Sequence, residues 1–258
     1  MKVVIFAGGL GTRMREETEF KPKPMIEIGG KPVLWHIMKI FAHYGHTDFI
    51  ICAGYKGNQI KDYFYNYAAN TLDFTMKLGD RDSAVFHGSH DEFDWTVTVA
   101  ETGQNTQTGG RLSQVRKYLG DEPFLCTYGD GVAPVDINRL IGTHKAYGKT
   151  GTMTVTQPRS RFGVVETGNS GIVTSFREKP VNRDLVNIGF FVFEPEIFQL
   201  LNEESVLEES PLKHLAQNGE LGSFKHDGFW QPMDTFREFQ DFNSMWESGE
   251  SPWKIWGK

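Results

Sequence analysis

Three short apolar runs that each end at glycine place the strongest constraint on the fold of this chain. The runs VVIFA, DFIICA and FLCTY are rich in β-branched and aromatic residues, as buried strands are, and they lead into AGG, AGY and YGDG. Helical patterns separate them, for example from Lys31 to Tyr44 and from Ile60 to Tyr67. This alternation predicts an α/β fold: a Rossmann-like, doubly wound sheet, mostly parallel or mixed, with helices on both faces. Because ligands bind such sheets at the carboxyl ends of strands, the glycine-ended runs predict one shared crevice.

The pattern changes after Gly151, where the short segments TMTVT, GVVET, IVTSFRE and VNIGFFVF are separated by Gly, Pro and Asn. These segments predict a smaller antiparallel portion added to the sheet. We expect a single domain over residues 1–258, with a main part (1–150), a smaller part (151–234) and a C-terminal helical, aromatic segment (235–258). Within the main part, Asp136 is expected to cap a helix.

Two other segments have a less specific interpretation. Residues 80–94, which include His87 and His90, are expected to form an exposed connection, and a metal site built on the two histidines is the weaker alternative. Near the end of the chain, Trp246, Trp253 and Trp256 follow a helical pattern. They are expected to cover apolar surface in this subunit or in a partner rather than to bind a cofactor.

Composition excludes several classes of protein. The 258 residues include 27 basic and 33 acidic side chains, a net charge of −6, which argues against a broad nucleic-acid-binding face. No apolar stretch approaches the ~20 residues of a membrane span, and the N-terminal apolar run is too short for a signal-peptide core. We therefore expect a cytoplasmic protein that binds neither nucleic acid nor membrane. Cys52 and Cys126 lie in apolar runs and are expected to be buried.

The first motif with chemical meaning is GGLGTR, Gly8 to Arg13, directly after the first strand-like run. Glycines allow backbone N–H groups to approach a phosphate chain, and the arginine adds positive charge. The motif is neither a Walker loop nor a dinucleotide fingerprint, which would require glycine at Met14. A plain turn is the alternative, but Lys21-Pro22-Lys23-Pro24 favours phosphate binding because prolines hold a lysine in a fixed direction.

The second motif is Tyr128-Gly129-Asp130-Gly131, a carboxylate between glycines at a predicted strand end. Such a carboxylate suits a hard divalent cation that also carries waters and phosphate oxygens. Asp234 is the best candidate for a second carboxylate. Its alternative role is to cap the helix that is predicted to start near Thr235.

The third motif is Glu178-Lys179-Pro180, a lysine held by proline after a predicted strand. Together with Asn187 it offers a charge and an amide for a second, anionic substrate. Each feature is common by chance, so only the whole set of motifs is informative.

In this order, GGLGTR, PKP, the following Lys31-Pro32, YGDG, EKP and a late aspartate resemble the sugar-1-phosphate nucleotidyltransferases, also called sugar-nucleotide pyrophosphorylases. The resemblance covers nearly the whole chain. Glu16-Glu17-Thr18, TGGR at Thr108 to Arg111 and FWQPMD at Phe229 to Asp234 are most similar to the cytidylyl branch of that family. One position departs from the family pattern: Ile188 stands beside Asn187 where glycine is expected.

The resemblance implies transfer of a nucleotidyl group from CTP to glucose 1-phosphate, with Mg²⁺ as cofactor. It implies that Arg13, Lys23, Asp130 and Asp234 are catalytic and that the two aspartates hold the metal. Residues 1–150 would mainly bind the nucleotide and 151–234 mainly the sugar phosphate. The implied nucleotide-binding residues are Ala7, Gly8, Gly9, Leu10, Gly11, Thr12, Arg13, Lys23, Thr106, Arg111, Tyr128 and Gly129. The implied sugar-phosphate-binding residues are Lys179, Glu178, Asn187 and Gly163. The family also implies a homo-oligomer such as a hexamer, and a role in surface-polysaccharide synthesis.

Three alternatives stay open at this point. The same reaction could use dTTP, UTP or GTP, because the base preference rests on resemblance alone. A glycosyltransferase would explain Asp130 but would leave GGLGTR and PKP without a purpose. A sugar-nucleotide sensor that does not catalyse the reaction would not need both aspartates as well as Arg13 and Lys23.

Overall fold

The computed structural model describes residues 1–11, 19–160, 162–181 and 184–257, and for Arg81 the backbone alone. The described strands are β1 (Val3–Ala7), β2 (Glu27–Ile28), β3 (Lys31–Pro32), β4 (Asp48–Ala53), β5 (Asp73–Lys77), β6 (Asp80–His87), β7 (Thr96–Glu101), β8 (Phe124–Tyr128), β9 (Gly131–Val132), β10 (Gly151–Thr156), β11 (Val164–Thr167), β12 (Val173–Arg177), β13 (Val186–Asn187), β14 (Phe191–Phe193), β15 (Leu221–Lys225) and β16 (Gln231–Pro232). The described α-helices are α1 (Val33–His43), α2 (Gly57–Tyr65), α3 (Tyr67–Thr71), α4 (Thr108–Val115), α5 (Ile137–Tyr147), α6 (Ser210–Gln217) and α7 (Phe236–Glu247). Short 3₁₀ helices span Lys23–Met25, Arg116–Tyr118 and Pro195–Leu200.

The glycine-ended runs form the parallel half of an eight-stranded central sheet. β1 lies between β4 and β8, and β7 pairs with β4 at the edge, all in parallel register. β14 continues the sheet antiparallel to β8, β10 pairs antiparallel with β14, and β15 runs parallel to β10. The sheet is therefore mixed, and it joins strands from before and after Gly151.

Both faces of this sheet are covered by helices. Alternate residues of β1 enter two different apolar clusters, because successive side chains of a strand point to opposite faces. Val3 and Ile5 pack with α1, α5 and α7, whereas Val4 and Phe6 pack with α4 and α6. The predicted doubly wound α/β fold is confirmed. None of the described helices is both long and apolar enough to cross a membrane.

The strand that follows Lys179 is interrupted in the middle. β13 and β14 both pair with β10, but Ile188, Gly189 and Phe190 separate them, and both Gly189 and Phe190 have positive φ. The Phe190 carbonyl accepts a hydrogen bond from the Thr154 hydroxyl at 2.7 Å. Outside the central sheet, β11 and β12 form a separate antiparallel pair. The smaller antiparallel portion predicted after Gly151 is confirmed.

Three local predictions have clear outcomes. Asp136 caps α5 as predicted, because its carboxylate accepts the Arg139 N–H at 2.9 Å. The helix predicted from Lys31 starts two residues later, because Lys31 and Pro32 form β3. The exposed connection predicted for residues 80–94 is wrong in its first half, since β6 pairs with β5 as an antiparallel hairpin. The side chains of that hairpin are mostly exposed on both faces, so it lacks the alternation of buried and exposed residues by which a strand is predicted.

The C-terminal tryptophans cover apolar surface of this same chain, as predicted. The helical pattern predicted for them is wrong beyond Glu247, where α7 ends, so Trp253 and Trp256 lie outside the helix. Trp253 is fully buried, and Trp246, Trp253 and Trp256 surround His36 of α1 at ring-centroid distances of 4.9, 6.2 and 6.0 Å. The Trp253 indole N–H donates to Nδ1 of His36 at 3.3 Å, while Nε2 of His36 lies 2.9 Å from the Ile28 carbonyl. Burial lowers the pKa of His36 to about 4, so the ring that anchors this segment is neutral.

Candidate active site

Three strand ends meet around one buried arginine. The Arg111 guanidinium donates to the Gly8 carbonyl at 3.0 Å, to the Ala53 carbonyl at 3.2 Å and to the Thr102 hydroxyl at 2.7 Å. A Cβ atom at Gly8 would lie 2.0 Å from Nη1 of Arg111, so only glycine allows this approach. Arg111 therefore joins the ends of β1, β4 and β7, and its burial lowers its pKa.

Lys23 lies in contact with both predicted metal ligands. Its Nζ donates to Asp130 Oδ2 at 2.6 Å and to Asp234 Oδ1 at 2.6 Å. Lys23 belongs to a 3₁₀ turn that starts after Pro22, and it is only 8% exposed. Charge-assisted hydrogen bonds of this length are stronger than hydrogen bonds between neutral groups. The three side chains that the sequence singled out thus form one cluster, which we call the Lys23 cluster.

A two-residue ribbon brings the two aspartates together. β9 follows Asp130 directly, β16 precedes Asp234, and the two strands pair antiparallel. The Met233 N–H also donates to the Asp130 carbonyl at 2.7 Å. Aspartates that are far apart in the sequence therefore leave the same end of one ribbon.

Asp234 does not cap the helix that follows it. The capping residue of α7 is Thr235, whose hydroxyl accepts the Glu238 N–H while the Glu238 carboxylate accepts the Thr235 N–H. This reciprocal arrangement is a capping box. The Asp234 carboxylate is therefore directed to Lys23 rather than to the start of the helix.

The Lys23 cluster lies in a cavity of about 310 Å³ at the carboxyl ends of β1 and β8, which we call the central cavity. Its described lining consists of Phe6, Gly8, Gly9, Gly11, Lys23, Pro24, Thr106, Gln107, Thr108, Arg111, Tyr128, Gly129, Asp130 and Asp234. Most of the residues predicted for nucleotide binding are among them. Ala7 is buried and Leu10 is exposed, and neither contributes to that lining, while Thr12 and Arg13 lie outside the described residues. Gln107 was not predicted, because nothing distinguishes it from a surface glutamine in the sequence.

The two carboxylates of the Lys23 cluster fit a magnesium ion that binds together with a phosphate substrate. Mg²⁺ commonly takes one or two protein carboxylates and fills its other positions with waters and phosphate oxygens. No group of three or more His, Cys, Asp or Glu side chains that could hold a metal occurs in the described part of the chain. The described residues therefore offer no site for a metal that is held by protein ligands alone. Asp130 and Asp234 do provide the one or two carboxylates that Mg²⁺ commonly takes from a protein.

The residues predicted for the sugar phosphate fall into two places. Asn187 lines a second cavity of about 860 Å³, the outer cavity, with Gln157, Arg159, Trp230 and Glu238 among its other lining residues. Glu178, Lys179 and Gly163 lie at the end of the β11–β12 pair, and none of them is among the described residues that line either cavity.

Lys179 has an unusual backbone conformation. Its φ of 45° is in the left-handed region, which costs energy for a residue other than glycine. Its side chain is 55% exposed, with Nζ 3.8 Å from the Glu178 carboxylate. Gly163 lies against the exposed Phe176 ring, which would have to move to admit a Cβ atom, since that atom would lie 2.6 Å from the ring. Ile188, the departure from the family pattern, is buried in the core.

The fold, with a glycine-walled cavity at the carboxyl ends of its strands, places this chain in the class of α/β nucleotide-binding proteins. Within that class, the chain belongs to the nucleotidyl transferase family, whose family model matches residues 2–244.

The chain is 51% identical over 259 residues to the glucose-1-phosphate cytidylyltransferase of Salmonella typhimurium, with 99% of this chain and 100% of the relative aligned. It is 42% identical over 260 residues to the "probable glucose-1-phosphate cytidylyltransferase" of Bacillus subtilis, again with 99% and 100% aligned. Among solved structures, HddC from Yersinia pseudotuberculosis matches 95% of this chain and 99% of its own, with a TM-score of 0.69 at 20% identity. This last similarity concerns the fold.

Proposed function

We propose that this chain is a glucose-1-phosphate cytidylyltransferase, which converts CTP and α-D-glucose 1-phosphate to CDP-glucose and pyrophosphate. A phosphate oxygen of the sugar forms a bond to the α-phosphorus of CTP, and the bond from that phosphorus to the β-phosphate oxygen breaks. The full-length similarity to curated cytidylyltransferases at 51% and 42% identity supports the choice of substrates.

The observation that carries the proposal is the position of Lys23 between Asp130 and Asp234 in the central cavity. The nucleophile is already an anion at neutral pH, so the reaction needs no general base. Its main obstacle is the repulsion between two negatively charged substrates, which is overcome by positioning and by fixed positive charge. Lys23 provides such a positive charge beside the strand-end glycines, and the two aspartates would add the charge of Mg²⁺ when that ion is bound.

Each part of the cavity has a proposed role. The backbone N–H groups of Gly8, Gly9 and Gly11, with Thr12 and Arg13 after them, would hold the β and γ phosphates of the nucleotide. Lys23 would bind the reacting and leaving phosphates. Mg²⁺, held by Asp130 and Asp234, would neutralise phosphate charge when bound.

The remaining predicted nucleotide-binding residues surround this cluster. Thr106, Tyr128 and Gly129 line the central cavity and would contact the nucleotide there. Arg111 would shape the nucleotide pocket by holding the strand ends, since its guanidinium already donates to backbone carbonyls.

The sugar phosphate would bind on the other side of Tyr128. Asn187 would donate to a sugar hydroxyl from its place in the outer cavity, and Lys179, with Glu178 and Gly163 beside it, would grip the phosphate. In this arrangement residues 1–150 mainly bind the nucleotide and residues 151–234 mainly bind the sugar phosphate. The resemblance further supports a cytoplasmic homo-oligomer, such as a hexamer, that contributes to surface-polysaccharide synthesis.

A panel of nucleotides tests this function directly. Purified protein is incubated with glucose 1-phosphate and CTP, dTTP, UTP or GTP, with added Mg²⁺ or with EDTA, and pyrophosphate release is measured. We expect release with CTP and Mg²⁺ and none with EDTA. Release with another nucleotide would keep the reaction but overturn the choice of base. Binding of CDP-glucose without any pyrophosphate release would identify a sugar-nucleotide sensor instead.

A further inference from the structure

A chain of hydrogen bonds links the two cavities through Glu208, a residue outside both. Thr108 Oγ1 donates to Glu208 Oε2 at 2.6 Å, and the Tyr128 hydroxyl donates to Glu208 Oε1 at 2.7 Å. Asn187 Nδ2 donates to the Tyr128 oxygen at 3.1 Å, and Asn187 Oδ1 accepts the Gly189 N–H at 2.9 Å. Thr108 and Tyr128 line the central cavity, and Asn187 lines the outer cavity.

The direction of each bond follows from the chemistry of the carboxylate. An ionised carboxylate only accepts hydrogen bonds, so the Tyr128 hydroxyl must point its hydrogen at Glu208. The Tyr128 oxygen then faces Asn187 as an acceptor, which turns the NH₂ group of that amide towards it. Burial and the Glu208 charge both raise the pKa of Tyr128, so its phenol remains protonated.

The orientation of the Asn187 amide is therefore determined from both ends. Its oxygen accepts from the Gly189 backbone, and one Nδ2 hydrogen is bound to Tyr128. The second Nδ2 hydrogen is the one that can meet a hydroxyl in the outer cavity. A flipped amide would present an oxygen there instead and would lose both internal bonds.

The backbone holds Glu208 in place through two glycines. The loop at residues 202–208 lies against the start of α4, where the Gly110 N–H donates to the Ser205 carbonyl at 2.9 Å. A Cβ at Gly110 would lie 2.2 Å from the Glu203 carbonyl, and one at Gly109 would lie 2.7 Å from the Ser205 side chain. The Leu207 N–H also donates to Thr108 Oγ1 at 3.0 Å. The two glycines of the TGG sequence before Arg111 are thus explained, because a larger residue at either position would collide with this loop.

We propose that Glu208 is a positioning residue that acts through Tyr128 to orient the Asn187 amide for the sugar of the second substrate. This role rests on the proposed function, in which Asn187 donates to a sugar hydroxyl. Glu208 is not among the described residues that line either cavity, so its removal should weaken binding of the sugar phosphate, through Asn187, much more than binding of the nucleotide.

The test compares Glu208→Met, which removes both acceptor oxygens, with Glu208→Gln, whose amide oxygen can still accept from Tyr128. Steady-state kinetics give KM for glucose 1-phosphate and for CTP separately. We expect Glu208→Met to raise KM for glucose 1-phosphate about tenfold, the effect of one well-placed hydrogen bond, and to change KM for CTP less than about threefold. Glu208→Gln should stay within about threefold of the wild type for both substrates.

Two further variants separate this role from a general effect of the loop. Tyr128→Phe should reproduce the Glu208→Met effect on KM for glucose 1-phosphate, and the double variant should be no worse than either single one. Glu204→Met, which removes an exposed carboxylate from the same loop, should match the wild type. Equal losses for both substrates in Glu208→Met, or additive increases in KM for glucose 1-phosphate in the double variant, would overturn the proposal.

A spectroscopic measurement keeps the proposal testable without turnover. The side-chain amide signal of Asn187, assigned by its loss in Asn187→Ala, is observed by ¹H–¹⁵N NMR on the substrate-free protein. We expect it to shift in Glu208→Met and Tyr128→Phe and to stay in place in Glu204→Met. An unchanged signal in the first two variants would refute the positioning role. A wild-type protein that releases no pyrophosphate with any nucleotide would instead refute the proposed function.

Discussion

Replacing Lys23 with methionine should reveal the electrostatics of the central cavity. In the wild type the Lys23 ammonium lies 2.6 Å from both the Asp130 and the Asp234 carboxylate, and Lys23→Met leaves these two carboxylates without it. Removing one partner of a buried ion pair costs about 3–5 kcal/mol, because an uncompensated charge stays buried. The Asp234 side chain is 11% exposed and that of Asp130 is 34% exposed, so water relieves part of this charge. We expect a loss of about 3 kcal/mol in the free energy of unfolding, or about 6–12 °C in midpoint for a chain of this size.

Thermal denaturation with EDTA and with Mg²⁺ shows whether Lys23→Met is destabilised by uncompensated charge or by altered packing. At a concentration about a hundredfold above its Kd, Mg²⁺ bound to the native state adds about 2.7 kcal/mol, which would restore most of the stability of Lys23→Met. The matched control is Lys39→Met, because Lys39 is 11% exposed and pairs with the buried Glu92 at 3.3 Å. Its other acidic neighbour, Asp91, is 90% exposed, so this site has one buried carboxylate and Mg²⁺ should not restore it. Unchanged stability of Lys23→Met, or equal stabilisation of both variants by Mg²⁺, would refute this reasoning.

Three other substitutions test separate parts of the structure. Gly8→Ala should displace Arg111 and cost about 2 kcal/mol in urea denaturation, because the new Cβ would lie 2.0 Å from the guanidinium. The neutral His36 ring, with its pKa lowered from 6.5 to about 4, contributes stability that is complete above pH 6.5 and is lost as the pH falls towards 4. Between pH 7 and pH 4.5 this loss is about 2.4 kcal/mol, and the fall in the free energy of unfolding between these pH values should be smaller by about that amount in His36→Gln, as measured by denaturation. Asp136→Ala should cost about 1 kcal/mol in thermal stability without changing turnover, because it removes only a helix cap.

The strand ends of this fold can be predicted from the sequence for a physical reason. A strand that is buried on both faces needs a continuous apolar run, and a close backbone contact at its end needs glycine. Gly8 and Gly129 show this requirement, since a Cβ at Gly129 would lie 2.6 Å from the Phe6 carbonyl. Asp130 is predictable for the same reason, because it immediately follows such an end.

Contacts between segments that are distant in sequence could not be predicted. The ribbon that brings Asp234 to Asp130 has only two residues in each strand, Gly131–Val132 and Gln231–Pro232, so it has no periodicity to recognise. Glu208 lies among other acidic residues, a pattern typical of a solvated surface, and only the fold brings it to Tyr128. The roles suggested for Lys179 and Asn187 remain predictions that rest on the resemblance.

The close approaches at the strand ends explain why few charged side chains face one another in the central cavity. At Gly8 and Gly129 a Cβ would meet another atom within 3 Å, so these walls of the central cavity are made of backbone and of the Arg111 guanidinium. The arginine charge is already directed to the Gly8 and Ala53 carbonyls. Within the described lining, the charged groups directed to one another across the cavity are then those of the Lys23 cluster. A change of one charge there therefore alters a large share of the field that two phosphate substrates would meet, whereas a similar change on an exposed surface would be screened by water.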